Sequence, residues 1–380
     1  MTHDVTVDLG DRSYPIRIGS GILDTLGDAC KAAGLTGRCL IVSDENVAPL
    51  YADTVFQTLE KAGFDPVLEV LPAGEPTKCQ AQLMNLYAKA AETRLDRKCF
   101  MVALGGGVIG DLTGFAAASW LRGIQFVQVP TSLLAMVDSS VGGKTGINIP
   151  AGKNLVGAFH QPELVMVDLD TLKTLPEREL AAGMSEVVKY GVIWDEELFQ
   201  SLEAGSTGGQ SFFQCSEKNR GADSGCLGKI ISKCCEIKAE VVRQDEREGG
   251  LRGILNFGHT LGHAIENAAG YGEYLHGEAV AIGMVYAARL SVALKGLLVE
   301  ESDRIENLLA ALALPVAAPG PQGLRRGRLA WSDLRAAMAV DKKTVGGLPK
   351  FVLADRIGHV DFGCEVPEEL MEEVWNGIGQ

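Results

Sequence analysis

Hydrophobic positions in the first half of the chain form short runs that alternate with helical patterns. The runs are rich in β-branched residues and almost continuously apolar, which is typical of strands buried on both faces of a parallel sheet. Four such strands are predicted: GRCLIVSD (37–44), KCFMVALGG (98–106), IQFVQVP (124–130) and ELVMVDL (163–169). The pattern therefore predicts an α/β fold at the beginning of the chain.

After about residue 170 the pattern changes to long helical periodicities, with one further strand predicted at KFVLAD (350–355). The change predicts two domains with a cleft between them. Residues 1–170 would form the parallel-sheet α/β domain, and residues 171–380 a mostly α-helical domain.

Three stretches of unusual composition interrupt these patterns. The longest apolar stretch, AVAIGMVYAARLSVALKGLLV, contains Arg289 and Lys295, so we interpret it as a buried helix and not as a membrane span. AGSTGGQSFFQCSEKNRGADSG (204–225) and PVAAPGPQGLRRGR (315–328) are rich in Gly, Ser, Pro or charge. These two stretches are predicted to be surface excursions.

The charge balance restricts the class of partner. A formal net charge of −14 provides no basic field for nucleic acid, so an anionic substrate requires a local cluster of Lys and Arg. The first residues, MTHDVTVDLGDRSYPI, lack the apolar core of a signal peptide. Nine scattered cysteines without a CxxC pair indicate a reduced, cytoplasmic protein.

A glycine-rich turn follows the second predicted strand, in ALGGGVIGDLTGFAAASW (103–120). Glycines let backbone N–H groups approach a phosphate, and the N-terminus of the following helix favours negative charge. The spacing fits the dinucleotide motif GxGxxG poorly, so the turn alone is a weak signal. Asp44, at the end of the first strand, could accept a hydrogen bond from a ribose hydroxyl or simply cap a turn or helix.

DSSVGGKTG (138–146) resembles a P-loop because it contains GKT. The first glycine of that motif would fall on Asp138, so we reject the P-loop interpretation. The stretch still offers Asp138 and Lys144, and AGKNLVG adds Lys153 and Asn154. Either an anion site or a solvated glycine loop fits this composition.

AGMSEVVKYG (182–191) has a helical pattern that places Glu186 and Lys189 three residues apart on one face. One interpretation is an exposed salt bridge, which contributes little to stability. The other has the carboxylate on a metal ion and the ammonium on a substrate anion. The spacing alone does not distinguish them.

Two of the six histidines, His259 and His263, stand four apart in LNFGHTLGHAIE (255–266). A helix beginning near Asn256, a plausible cap, would place both on one face. His259 would lie in the first turn, where the helix dipole favours the neutral form that metals bind. The Glu of the HExxH motif is absent, because Thr260 occupies its position.

A third histidine extends this set. His276, in YLHGEAV, follows a short glycine-containing turn and could reach back toward the helix. Glu186 with two of the three histidines would give the mixed O/N donor set of a catalytic zinc site. The spacing leaves open which two, and a core or surface histidine pair remains the simpler alternative.

The segment KAEVVRQDEREGGLRG (238–253) leads toward the histidines and carries Lys238, Glu248 and Arg252. An arginine offers a bidentate fork to a carboxylate or phosphate. A charged helix face explains the same composition.

An ordered series of motifs resembles the 3-dehydroquinate synthase family over roughly residues 5–300, with a DKK run at 341–343 beyond. The series is GGGVIGDLTGFAA, RGIQFVQVPTSLLAMVDSSVGGKTGIN, GKNLVGAF, SEVVKYG, DEREGGLR, LNFGHTLGHAIE and LHGEAVAIGM. The resemblance implies an NAD-binding α/β domain, a helical metal- and substrate-binding domain, one NAD and one Zn²⁺ or Co²⁺, and a homodimer. It implies no nucleic-acid or membrane partner. The stretches 204–225 and 315–328 are less like the family.

The resemblance also assigns site residues. The implied metal ligands are Glu186, His259 and His276, and the implied catalytic groups are His263, Glu248, Lys189 and Arg252. The implied NAD contacts are Asp44, Glu75, Lys78, Gly106, Gly107, Val108, Asp111, Thr131, Ser132, Lys144, Lys153, Thr171, Leu172, Lys173 and Thr174. The implied substrate contacts are Arg122, Asp138, Lys144, Asn154, Lys189, Lys238, Arg252, Asn256 and Lys342.

The reaction implied is conversion of 3-deoxy-D-arabino-heptulosonate 7-phosphate to 3-dehydroquinate and phosphate, the second step of the shikimate pathway. It would proceed by transient oxidation by NAD, phosphate elimination, reduction, ring opening and an intramolecular aldol reaction. Two alternatives belong to neighbouring classes: another sugar-phosphate cyclase, of the 2-deoxy-scyllo-inosose or 2-epi-5-epi-valiolone synthase type, and a metal-dependent polyol dehydrogenase. A non-enzymatic NAD sensor would not need the metal ligands.

Overall fold

The computed structural model describes residues 2–206, 224–270, 272–317, 329–340 and 349–378. Their contacts form two compact units that are discontinuous in sequence. The first comprises Met1–Pro176 and Ala222–Arg247, and the second Glu177–Gly221 and Glu248–Gln380. Most of the two predicted surface excursions, and the whole DKK run with Lys342, lie outside the described residues.

The first unit contains a seven-stranded sheet. Its strands are β1 His3–Val7, β2 Tyr14–Gly19, β3 Arg38–Asp44, β4 Asp65–Leu71, β5 Phe100–Gly105, β6 Gln125–Pro130 and β9 Leu164–Asp168. Their order in the sheet is β1-β2-β9-β6-β5-β3-β4, and neighbouring strands are parallel except β1 and β2, which are antiparallel. The four strands predicted from the apolar runs are confirmed as β3, β5, β6 and β9, and the parallel α/β architecture is confirmed with them.

Helices cover both faces of this sheet, which explains why its central strands are apolar on both sides. On β3, Ile41 belongs to one core cluster while Leu40 and Val42 belong to another on the opposite face. The helices of the unit are α1 Leu26–Ala32, α2 Ala48–Lys61, α3 Gln80–Glu92, α4 Gly107–Ser119 and α7 Ser224–Gln244. The last of these follows the first helices of the other unit in sequence but packs on β1 and β2. The predicted division at residue 170 assigned it to the second domain.

A small antiparallel hairpin completes the first unit. It consists of β7 Lys144–Ile149 and β8 Gly152–Phe159, and its composition gave no strand prediction. His160 follows β8, where its ring stacks on Phe126 and its Nε2–H donates to the Ile124 carbonyl at 2.8 Å. Burial lowers the pKa of His160 below its usual range, so the neutral ring is the form the fold accommodates.

The second unit is mostly helical, as predicted. Its helices are α5 Glu177–Ile193, α6 Glu196–Ser206, α8 His259–Ala269, α9 His276–Lys295, α10 Val299–Ala311, α11 Trp331–Val340 and α12 Glu368–Gly377. The late strand is confirmed as β10 Phe351–Arg356. It pairs with β11 His359–Cys364, which the sequence reasoning missed.

The helix α9 lies at the centre of this unit. It is the one helix in the described ranges that has the length and apolarity to cross a membrane, and 78% of its most apolar window is buried in the fold. Tyr286 of α9 packs in one core cluster with Phe351 and Trp375. The interpretation of the long apolar stretch as a buried helix is therefore confirmed.

Candidate functional site

Three helices of the second unit bring a carboxylate and two imidazoles together. Glu186 lies in the middle of α5, while His259 and His276 are the first residues of α8 and α9. Glu186 Oε1 lies 3.5 Å from His259 Nε2 and 3.9 Å from His276 Nε2. One ligand atom from each residue lies within 4.8 Å of the others, so the three form a candidate metal site.

Hydrogen bonds at the opposite ring nitrogens orient both imidazoles. The Nδ1–H of His259 donates to the Phe257 carbonyl at 3.1 Å. The Nδ1 of His276 lies 3.2 Å from Glu266 Oε2, within hydrogen-bonding distance. With Nδ1 occupied on each ring, both Nε2 atoms are directed toward Glu186, which is the usual arrangement of metal-ligating histidines.

Burial and charge also fit a cation at this position. Glu186 is almost fully buried, and within the described residues no hydrogen bond reaches its Oε1. Its other oxygen pairs with Lys189, which is equally buried, so the alternative of an exposed salt bridge is wrong. Burial lowers the pKa of His259 well below its usual range, and Lys189 lowers it further. A neutral imidazole beside a buried carboxylate oxygen is the donor chemistry of zinc and cobalt sites.

His263 lies beside this donor set without belonging to it. The three imidazole rings form a triangle with centroid distances of 5.5 Å from His259 to His263, 5.8 Å from His263 to His276 and 5.3 Å from His259 to His276. His263 is exposed and groups with His276 and Glu266 instead of Glu186. The geometry therefore disfavours a simple HxxxH chelate of His259 and His263.

Glycines allow the three helices to approach closely enough. A Cβ on Gly277 would lie 1.9 Å from the Ala182 carbonyl oxygen of α5. A Cβ on Gly283 would lie 1.9 Å from the Gly258 carbonyl oxygen, next to the start of α8. Backbone atoms occupy the space where side chains would be, so larger residues at these positions would push the ligand-bearing helices apart.

The start of α8 differs from the prediction. The helix begins at His259 and its cap is Gly258, whose φ of 80° is in the left-handed region. Asn256 is therefore not the cap; it ends a short 3₁₀ helix, Leu251–Asn256, and its amide donates to Glu248 Oε1 at 3.3 Å. Arg252, in the same 3₁₀ helix, is almost fully buried. The expected substrate and proton-transfer groups Arg252, Asn256 and Glu248 thus lie on one short segment.

In the first unit, the glycine-rich turn joins β5 to α4 as predicted. Gly106 precedes α4 and Gly107 is its first residue. A Cβ on Gly106 would lie 3.4 Å from Ser132 Oγ, and one on Gly107 would lie 2.9 Å from Ser139 Oγ. The loop after β6, which carries Thr131 and Ser132, therefore packs directly on the turn. Val108 follows in the first turn of α4.

A polar cluster lies beside this turn. Lys78 forms a buried ion pair with Asp111 of α4, and Asn148 donates to Glu75 Oε1 at 2.6 Å. The Asn154 N–H donates to Asn148 Oδ1 at 3.0 Å. Burial raises the pKa of the Asp111 carboxyl, and the Lys78 ammonium opposes that shift. Asn148 therefore bonds two predicted NAD contacts, Glu75 and Lys78, and one predicted substrate contact, Asn154.

Other predicted residues of this unit occupy separate positions. Lys238 of α7 bonds both the carboxylate and the backbone carbonyl of Asp138, with Nζ 2.7 Å from Oδ1. Arg122 ends a short turn after α4 with a φ of 70°. Lys144 begins β7, and Lys153 lies near the beginning of β8.

Asp44 and the run 171–174 lie at the carboxyl ends of strands. Asp44 Oδ1 accepts the backbone N–H groups of Asn46 and Val47, so Asp44 caps a turn, one of the two roles considered for it. Thr171, Leu172, Lys173 and Thr174 lie in a 3₁₀ helix directly after β9. Tyr51 bonds the Thr174 hydroxyl at 2.6 Å.

Sequence reasoning missed two residues that organise these clusters. Asn148, in β7, links Glu75 to Asn154, and nothing in the sequence around it distinguishes it from other asparagines. Glu266 bonds His276, and a signal for it existed: it stands seven residues after His259, two helical turns along the same face. Lys342 lies outside the described residues.

Two family models match the chain. The model for the 3-dehydroquinate synthase N-terminal region matches residues 68–182, and the model for the C-terminal region matches residues 183–344. A 3-dehydroquinate synthase of Desulforamulus reducens is 49% identical over 371 residues, which cover 96% of this chain and 97% of the relative.

Solved structures of two sugar-phosphate cyclases are similar to this fold. A 2-deoxy-scyllo-inosose synthase with carbaglucose-6-phosphate, NAD⁺ and Co²⁺ has a TM-score of 0.86 and 25% identity, covering 99% of this chain and 100% of that one. A 2-epi-5-epi-valiolone synthase of Streptomyces hygroscopicus with NAD⁺ and Zn²⁺ has a TM-score of 0.83 and 28% identity, covering 97% and 98%.

Proposed function

The chain belongs to the 3-dehydroquinate synthase family, and on that premise we propose that it converts 3-deoxy-D-arabino-heptulosonate 7-phosphate to 3-dehydroquinate and phosphate. The observation that carries the proposal is the set of Glu186, His259 and His276, of which the first two are buried, with Lys189 on the same carboxylate. The other cyclases fit less well, because they are 25% and 28% identical where the 3-dehydroquinate synthase is 49% identical.

We propose that Glu186, His259 and His276 hold one Zn²⁺ or Co²⁺. Two imidazoles and one carboxylate make three donors, which leave further coordination positions for substrate oxygens, as in catalytic sites. A bound divalent ion supplies a Lewis acid that acidifies and polarises a substrate hydroxyl. Lys189 pairs with the carboxylate and fixes it in a buried position, so this chain contributes a preorganised ligand set.

NAD is proposed to bind to the first unit. Gly106 and Gly107 keep the turn before α4 free of side chains, so the helix N-terminus can face a diphosphate. NAD supplies the hydride acceptor of the oxidation and the hydride donor of the later reduction. The proposed contacts are Asp44, Glu75, Lys78, Gly106, Gly107, Val108, Asp111, Thr131, Ser132, Lys144, Lys153 and residues 171–174.

His263 is proposed to move protons through its ring nitrogens. Its ring lies next to both ligand imidazoles but outside the set that contains Glu186. Glu248 is the second proposed proton-transfer carboxylate, oriented by the amide of Asn256. Positioned groups of this kind typically contribute about 10²–10⁴-fold to a rate.

The substrate's carboxylate and phosphate require cations in a chain of net charge −14. We propose that substrate contacts come from Arg122, Asp138, Lys144, Asn154, Lys189, Lys238, Arg252, Asn256 and Lys342. Arg252 suits a bidentate contact with an anion, because its guanidinium is held in a buried 3₁₀ helix. We also propose that the protein is a homodimer and lies in the cytoplasm. Sedimentation of the purified protein tests whether it is a dimer.

The test is turnover of the purified, metal-loaded protein with the heptulosonate phosphate and catalytic NAD. Phosphate and 3-dehydroquinate should appear in equal amounts without net NADH, because the oxidation and the reduction cancel. Glucose 6-phosphate, which carries no carboxylate, is the comparison substrate and should not release phosphate. NADH that accumulates with product would contradict the proposal and favour a polyol dehydrogenase, whereas phosphate release from glucose 6-phosphate would favour an inosose synthase.

A further inference from the structure

Glu266 is a buried carboxylate on the same helix as His259 and His263. It lies one turn after His263 on α8 and is 8% exposed. Its Oε2 lies 3.2 Å from His276 Nδ1, on the side of the ring opposite Glu186. Glu266 is therefore placed to act on a metal ligand without occupying the Glu186 donor set.

The two ligand histidines are supported differently. His259 has a side chain that is 11% exposed, and its Nδ1–H donates to a neutral backbone carbonyl. His276 begins its helix, and its side chain is 33% exposed. Packing therefore restrains the orientation of the His276 ring less than that of His259, and the contact with Glu266 supplies the missing restraint.

A carboxylate at Nδ1 has two physical effects on an imidazole. It holds the proton on Nδ1, which leaves the lone pair on Nε2 and fixes the plane of the ring. It also makes Nε2 a stronger donor, because the negative charge stabilises the positive charge that develops on a metal-bound ring. Both effects favour a metal ion between His276 Nε2 and Glu186 Oε1.

We propose that Glu266 is a positioning residue that orients His276 and strengthens its bond to the metal. The inference rests on the proposed metal role of Glu186, His259 and His276. The competing arrangement has Glu266 itself as a ligand with His263 and His276, whose ligand atoms also lie within 4.8 Å of one another. The buried Glu186 oxygen, which no hydrogen bond reaches within the described ranges, favours the first arrangement.

The experiment measures zinc affinity directly, by competition with a chromophoric chelator on metal-free protein and without substrate. Glu266→Gln is the main variant because it keeps the size of the side chain and removes the charge. Its zinc affinity should fall about 10–100-fold, the range for second-sphere partners of metal ligands. Glu266→Asp keeps the charge on a shorter chain and should lose less than Glu266→Gln.

Glu203→Gln is the matched control. Glu203 is a carboxylate of the same unit, and among the described residues its side-chain hydrogen bonds go to Arg304, with Oε2 2.6 Å from the guanidinium. Its zinc affinity should equal that of the wild type. The thermal midpoint of the metal-free Glu266→Gln protein should also match the wild type, which separates a loss of metal binding from a loss of fold.

Three results would overturn the inference. The first is wild-type zinc affinity in Glu266→Gln. The second is metal retention in Glu186→Gln together with metal loss in His263→Ala, because that pattern belongs to the competing ligand set. The third is a wild-type protein that binds neither Zn²⁺ nor Co²⁺, which removes the metal site itself. If the wild type turns over the heptulosonate phosphate but Glu266→Gln binds zinc as tightly as the wild type does, the proposed function stands and only this inference is refuted.

Discussion

Replacing Gly277 with alanine should separate the two helices that carry Glu186 and His276. The new Cβ would lie 1.9 Å from the carbonyl oxygen of Ala182 and 2.5 Å from its carbonyl carbon, whereas real Cβ contacts are not shorter than 3.0 Å. The clash is with backbone, so no rotamer change relieves it. The start of α9 must therefore move away from α5 by about 1 Å, the difference between the 3.0 Å limit and the 1.9 Å contact with the Ala182 oxygen.

This displacement acts directly on the proposed metal ligands. His276 precedes Gly277, and Glu186 lies one turn after Ala182 on α5. Their ligand atoms are now 3.9 Å apart, while a zinc ion holds each donor at about 2.0–2.2 Å and tolerates errors of about 0.2 Å. Over-packing of this kind costs about 1–3 kcal/mol. If that cost falls on the metal-bound form, zinc affinity should drop about 5–150-fold.

Zinc competition on metal-free protein, with a thermal melt beside it, is the assay. Gly377→Ala is the control, because that glycine ends a helix of the same unit and a Cβ there meets nothing within 4 Å. The control should bind zinc as the wild type does. Wild-type zinc affinity and an unchanged melting temperature in Gly277→Ala would refute the claim that this close approach sets the ligand geometry.

Two further predictions concern histidines. The variants His259→Ala and His276→Ala should each lose most of the bound metal, whereas His263→Ala should retain close to one ion per chain and lose about 10²–10⁴-fold in rate. Metal analysis and single-turnover kinetics of the three variants check this prediction. Metal loss confined to His263→Ala would contradict it. The second prediction concerns His160, whose ring is held neutral in the folded state, while in the unfolded chain it takes up a proton below about pH 6.5. The free energy of unfolding should therefore fall as the pH drops below that value, by up to about 1.4 kcal/mol per pH unit. The free energy of unfolding by denaturant is measured from pH 7.5 to 5 for the wild type and for His160→Gln, and the difference between the two slopes isolates the contribution of His160. Identical slopes would show that folding does not lower the pKa of this ring.

Strands buried on both faces could be predicted from the sequence because burial makes nearly every position apolar. This is why β3, β5, β6 and β9 were identified with only small errors at their ends. Strands at the margins carry a mixed pattern; in β4, for example, five of seven positions are exposed or half-buried. The hairpin of β7 and β8 contains glycines and has no regular alternation of buried and exposed positions, so its pairing depends on partners that no local pattern reveals.

The chemistry of the site was also largely predictable, because metal and anion binding require particular side chains. The motif series identified the family, and the family models and the relative bear that out. Spacing predicted that Glu186 and Lys189 share a helix face. It could not distinguish an exposed pair from a buried one, because that depends on which helices pack against α5.

Spacing could not choose among the histidines; the resemblance to the family implied the choice, and the tertiary structure gives its geometric reason. His259 and His263 lie one turn apart on one helix face, so every local pattern treats them alike. The difference arises because α9 approaches α5 closely at Gly277 and approaches Gly258, the residue before α8, closely at Gly283. That approach places His259 and His276 against Glu186 and leaves His263 beside them. The sequence specifies which residue types occur and in what order, whereas the distances between helices depend on packing across the whole unit.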